Sequence, residues 1–90
     1  MQFVWDRDKA AKNLAKHLVS FEEAATVFGD PLSNTYPDPA HSFTEQRFII
    51  IGLSEQGRIL VVAHTDEAEG IRIISAREAT AGERKTYEEG

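Results

Sequence analysis

Three β-type runs separated by loops of hairpin length fill the second half of this 90-residue chain, over 46–53, 58–65 and 71–76. Ser54-Glu55-Gln56-Gly57 joins the first two, and Asp66-Glu67-Ala68-Glu69-Gly70 joins the next two. Short connections containing glycine make neighbouring strands antiparallel. Pairing Leu53 with Arg58 across a four-residue loop puts Arg47, Ile49, Ile51, Leu60, Val62 and His64 on one face. Phe48, Ile50, Ile59, Val61 and Ala63 then lie on the other. A shift of one residue would regroup both sets. Both faces are apolar, so both need cover.

The first half supplies some of that cover. Phe3-Val4-Trp5 is a short β-type run. Asp6 caps a helix running to about Leu18, with Ala10, Leu14 and Leu18 at spacing four and Lys9, Asn13 and His17 in a parallel row. Ser20-Phe21-Glu22-Glu23 reads as a capping box opening a second helix. That helix should bury Phe21, Ala24, Ala25 and Phe28 before Gly29-Asp30-Pro31 ends it. From Pro31 to Thr44, proline and turn formers predict an irregular loop. A last helix is expected from Thr80, whose partner Glu83 stands three residues on, to about Glu88. Two helices cover one sheet face. The other needs the last helix, a second copy of the chain or a partner protein, which predicts a homodimer or a hetero-oligomer. The expected class is therefore α+β, in the order β-α-α-β-β-β-α around a small antiparallel sheet, as a single domain over residues 1–90.

No cysteine is present, which excludes disulfides and thiolate metal sites and fits a reducing, cytoplasmic setting. No apolar run is long enough to span a membrane, and the N-terminus lacks the basic flank and apolar core of a secretion signal. His17, His41 and His64 are too far apart in sequence for the short pairings that metal sites use, and no cofactor motif occurs. The net charge of −5 argues against loose, nonspecific binding to nucleic acid. Yet Arg7, Lys9, Lys12, Lys16 and His17 crowd one segment.

Arginine is costly within a buried strand. Here each strand run carries one, namely Arg47, Arg58 and Arg72, and Arg77 follows the last run. Guanidinium groups on a rigid sheet suggest an anion site, with phosphate as the ligand their planar fork fits best. Simple alternation sends Arg72 and Arg77 to opposite faces, because their separation is odd.

The chain also resembles a known family. The matching stretches are Phe3-Val4-Trp5-Asp6, Lys9, Asn13, Lys16-His17, Val19-Ser20-Phe21-Glu22-Glu23-Ala24, Val27-Phe28 and Asp30-Pro31. They continue through His41, Glu45-Gln46-Arg47-Phe48, Ile51-Gly52, Gly57-Arg58 and Thr65. Ile71-Arg72-Ile73-Ile74-Ser75-Ala76-Arg77, Ala79, Glu83-Arg84 and Tyr87 complete the set. In this order they resemble the BrnT family of bacterial type II toxins, over nearly the whole chain. The resemblance implies a RelE-like fold and a ribonuclease that inhibits translation. It also implies a BrnA-like antitoxin with a ribbon-helix-helix domain, through which alone the toxin meets DNA. Ala81-Gly82 depart from the pattern, standing where family members often carry basic residues before Glu83-Arg84.

Metal-free RNA cleavage needs a base for the 2′-hydroxyl, a grip on the scissile phosphate, stabilisation of its developing charge and a proton for the leaving oxygen. Arg47, Arg58, Arg72 and Arg77 are the candidate clamp, with Glu45 or a histidine as base and His17 bordering the site. Lys9, Lys12, Lys16 and Arg84 are candidates for contacting RNA. Each has a structural alternative as well. Arg58 can be a solvated strand end, Arg47 can pair with Glu45, His17 can cap its helix, and the lysines can be its wet side. The competing function is a toxin-fold binding module without strong catalysis, which anchors a DNA-binding partner.

Overall fold

The computed structural model describes residues 1–38 and 45–90. The elements are β1 (Phe3–Val4), α1 (Arg7–His17), α2 (Phe21–Thr26) continued by a 3-10 turn (Val27–Gly29), β2 (Asn34–Pro37), β3 (Phe48–Leu53), β4 (Ile59–Glu67), β5 (Gly70–Glu78) and α3 (Ala81–Glu89). They form an α+β fold around one five-stranded sheet in the order β1-β5-β4-β3-β2. The sheet is mixed: β1 runs parallel to β5, and all other neighbours are antiparallel.

One strand exceeds the sequence expectation. Asn34–Pro37, read as loop, pairs with 48–51 of β3 as an edge strand. It has neither apolar alternation nor length. Its proline is tolerated because an edge strand has one side free of the ladder.

The β3–β4 register also differs from expectation by one residue. Leu53 pairs with Ile59 rather than Arg58, and Phe48 rather than Arg47 faces His64. The reason lies in Gly57. Its φ of +85° and the Gly57 N–H to Ser54 C=O bond close a turn that leaves Ser54 and Arg58 paired across three residues. The faces regroup accordingly. Ile50, Leu60, Val62 and His64 join Val19, Phe21, Ala24, Val27, Ile73 and Ala76 beneath the helices. Ile49, Ile51, Val61, Ala63 and Arg47 share the opposite face by alternation.

A second irregularity sits in β5. Ala63 pairs with Ser75 but His64 pairs with Ile73, so Ile74 is an inserted bulge residue. Arg72 then lies opposite Thr65 and Arg77 opposite Val61. The expectation of opposite faces is corrected: the bulge restores parity and turns both arginines to one face.

α1 is rotated from its expected pose. Leu14 and Leu18 are 48% and 72% exposed, whereas Asn13 is buried. β1 pairs with only two residues of β5, so the remaining β5 edge needs another partner. Asn13 supplies it, donating from Nδ2 to the Ala76 C=O at 2.8 Å and accepting the Ala76 N–H at 3.0 Å. It also donates to the Val19 C=O at 2.9 Å, fixing the turn between helices. One amide side chain thus stands in for a missing strand. Leu18 ends α1 in the left-handed region at φ 58°.

α2 packs its 3-10 turn so closely on β3 that a side chain at Gly52 would meet Val27 and Ser33 at 2.9 Å. α3 is fastened at both ends. The full capping box of Thr80 and Glu83 starts it, and the Tyr87 hydroxyl donates to Asp30 near its end. No helix of the described residues is long and apolar enough to cross a membrane.

Candidate active site

The sheet face opposite α1 and α2 carries a cleft of about 340 Å³. Its floor includes Ile49, Val61, Ala63 and Ile74, and its polar lining is His17, Asp38, Arg47, Ser75 and Arg77. Strands from three parts of the chain therefore bring two of the four candidate arginines together, and the end of α1 adds His17 beside them.

Arg77 is anchored before any ligand arrives. Its Nη1 and Nη2 donate to the two carboxylate oxygens of Glu83 at 2.8 and 2.9 Å, and Nη1 also reaches the Glu78 C=O at 3.2 Å. Glu83 is held mainly by that guanidinium and lies well below the usual carboxylate range, at about 2.

Arg72 joins the same face through carboxylates. Its Nη2 donates to both oxygens of Glu45 at 3.0 and 2.8 Å, and its Nε donates to Glu67. Glu45 also lies 3.6 Å from Arg47 Nε, so one carboxylate bridges two arginines. The Arg72 hydrogen bond is the chief reason Glu45 sits below its ordinary pKa.

Arg58 is turned elsewhere. Its guanidinium grips the buried carboxylate of Glu23 and also contacts the Leu18 C=O and Glu78. Ser54 Oγ donates to the same Glu23 at 2.7 Å. These bonds tie α2, the end of α1 and the β3–β4 turn together. They also change the Ser20 capping box, because the Glu23 carboxylate faces Arg58 and Ser54 while Ser20 keeps only its bond from the Glu23 N–H.

Lys9, Lys12 and Lys16 are exposed on α1. Arg84 is exposed on α3 and lines a separate cleft with Arg58, Leu53 and Glu88. His64 is a core residue, packed edge-on against Phe28 and stacked on Phe48, with burial pushing its pKa down. His41 lies outside the described residues.

Sequence reasoning missed Asn13 and Asp30 as organisers. Asp30 accepts from the Leu32 and Leu53 amides at 2.9 and 2.8 Å and from Tyr87, so it joins the α2 exit, β3 and α3. The available signal for Asn13 was its place mid-helix, where a poor helix former needs a reason to be.

The family described as the ribonuclease toxin BrnT of type II toxin–antitoxin systems matches residues 5–83. Among solved structures, the crystal structure of the Brucella abortus ribonuclease toxin BrnT is similar to this chain with a TM-score of 0.69 and 24% sequence identity. The alignment covers 89% of this chain and 97% of that one, and at that identity the likeness concerns the fold. No curated protein matches the sequence.

Proposed function

Because this chain belongs to the BrnT family of ribonuclease toxins of type II toxin–antitoxin systems, we propose that its arginine-lined cleft cleaves RNA without a metal ion and so inhibits translation. The observation that carries this reading is the meeting of His17, Arg47 and Arg77 around one cleft. Arg77 and Arg47 hold the scissile phosphate and stabilise its developing charge, as a planar, permanently charged fork does well. Arg72 adds charge through the Glu45 bridge. Imidazole is the side-chain type suited to exchanging protons near neutral pH, which gives His17 the role of base or acid. Glu45 is the other candidate base, and it takes that role only after releasing Arg72. Lys9, Lys12 and Lys16 form an exposed cationic row along which RNA can lie. Arg58 and Arg84 stand outside this cleft. A RelE-like cytoplasmic toxin of this kind is neutralised by a BrnA-like ribbon-helix-helix antitoxin, which covers the arginine face and brings the complex to DNA.

Induced expression in a bacterial host tests the proposal. Growth should stop, recover on co-expression of the antitoxin, and continue undisturbed with Arg77→Ala.

A second reading is favoured by the ion pairs themselves. Arg58, Arg72 and Arg77 all meet carboxylates, within a chain of net charge −5. A catalytically weak module that anchors a DNA-binding antitoxin would leave growth unaffected while still forming the complex.

A further inference from the structure

A guanidinium offers two forks to an oxyanion: an end-on pair from Nη1 and Nη2, and a side-on pair from Nε and Nη2. Arg58 spends its side-on fork on Glu23. Arg72 spends its own on Glu67 and Glu45. Arg77 differs. Glu83 takes the end-on fork, and the Glu78 C=O takes a further Nη1 hydrogen. Among the described residues its Nε–H and one Nη2–H have no partner, and they point the same way from a side chain that lines the cleft. The Arg77 side chain is also 42% exposed and lines the cleft, so it is open to a ligand there.

Resting on the ribonuclease reading of the cleft, we propose that Glu83 is a positioning residue, which holds Arg77 so that its side-on fork receives a phosphodiester oxygen pair. The arrangement is rigid for an identifiable reason. The same Glu83 carboxylate accepts the Thr80 N–H at 2.9 Å, and its own N–H donates to Thr80 Oγ1 at 3.2 Å. The first turn of α3 therefore sets where the carboxylate stands, and the carboxylate sets the guanidinium plane. A fork ordered in advance loses less side-chain entropy when a ligand arrives. Charge alone predicts the reverse, since a neighbouring carboxylate repels a phosphate. The two effects thus have opposite signs in a single experiment.

That experiment follows the Arg77 Nε–H resonance in the full-length chain during titration with a tetranucleotide whose 2′-hydroxyls are all methylated, so that it cannot be cleaved. In the wild type, the Arg77 Nε–H signal should shift saturably, while that of Arg72, already engaged by Glu67, should stay in place. Glu83→Gln keeps an acceptor for the Thr80 amide but loses the carboxylate, and should weaken binding about tenfold despite the gain in positive charge. Glu83→Asp, which restores a carboxylate, should recover part of the loss. Arg77→Lys keeps the charge and lacks the fork, and should bind at least as weakly as Glu83→Gln. An unmoved Arg77 Nε–H in the wild type, or tighter binding by Glu83→Gln, would overturn the proposal. Cleavable RNA run in parallel separates the two claims. Binding as expected with no cleavage by the wild type refutes the nuclease and leaves the fork standing.

Discussion

Replacing Asn13 with alanine removes three hydrogen bonds from a buried site, two with the Ala76 peptide groups and one with the Val19 C=O. Asn13 is only 7% exposed and Ala76 is 1% exposed, so water cannot readily take the place of the amide. A buried backbone group left without a partner costs about 1–3 kcal/mol. Two such groups at Ala76 and a third at Val19 give a gross loss of roughly 3–9 kcal/mol on that scale. Alanine is the better helix former, which returns about 0.5 kcal/mol. A net loss of about 2.5–8.5 kcal/mol is large against the ~5–14 kcal/mol expected for a domain of this size. The assay is urea unfolding followed by circular dichroism. With an m-value of about 1–2 kcal/mol/M, the midpoint should fall by at least about 1.2 M. Amide exchange at Ala76 should quicken far more than at Val62, in the sheet centre. A midpoint shift below 0.5 M (about 1 kcal/mol on the same scale) would refute the idea that this side chain substitutes for a strand. Asn13→Asp sharpens the test, because it can accept from the Ala76 N–H but cannot donate to either carbonyl.

Arg58→Ala leaves the Glu23 carboxylate, whose side chain is 2% exposed, buried without its cation. It should cost about 3 kcal/mol in urea unfolding, at the lower end for broken buried pairs because the arginine itself is partly solvated. His64 gives stability an acid dependence. Burial holds the ring below its ordinary pKa, so the unfolded chain binds more protons below pH ~6.5, and stability should decline as pH falls from there. His64→Phe should flatten the decline that begins below about pH 6.5, measured as thermal midpoints, while the loss of paired carboxylates such as Glu83 sets in only below about pH 4.5. Tyr87→Phe removes the bond to Asp30, which holds the phenol pKa up at about 12. Amide exchange in α3 should accelerate without change in the sheet core.

Local chemistry made much of the fold legible. The three strand runs, both helix starts at Asp6 and Ser20, and the Thr80–Glu83 capping box all rest on contacts within a few residues, which pattern reading captures. What escaped it depends on partners distant in sequence. β2 exists because β3 offers an edge, not because Asn34–Pro37 prefers to be extended. The β3–β4 register turns on whether Gly57 sits inside or beside the loop, a choice that inverts both faces. The Ile74 bulge leaves no mark in composition, yet it decides that Arg72 and Arg77 share a face. Arg58 looked equivalent to the other strand arginines until Glu23, 35 residues away, claimed it. The cleft itself was readable only as a set of arginines and a histidine. Which of them converge followed from the register and the bulge.

Under the proposed function, Arg77 and its neighbours turn an open sheet face into a metal-independent ribonuclease. Mass spectrometry of RNA ends, after incubation with the purified chain in excess chelator, tests it most directly. The wild type should leave 2′,3′-cyclic phosphate ends, and Arg77→Ala should lower their yield about 100–1000-fold. Intact RNA, ends bearing a free 3′-hydroxyl, or equal cleavage by the two proteins would contradict it.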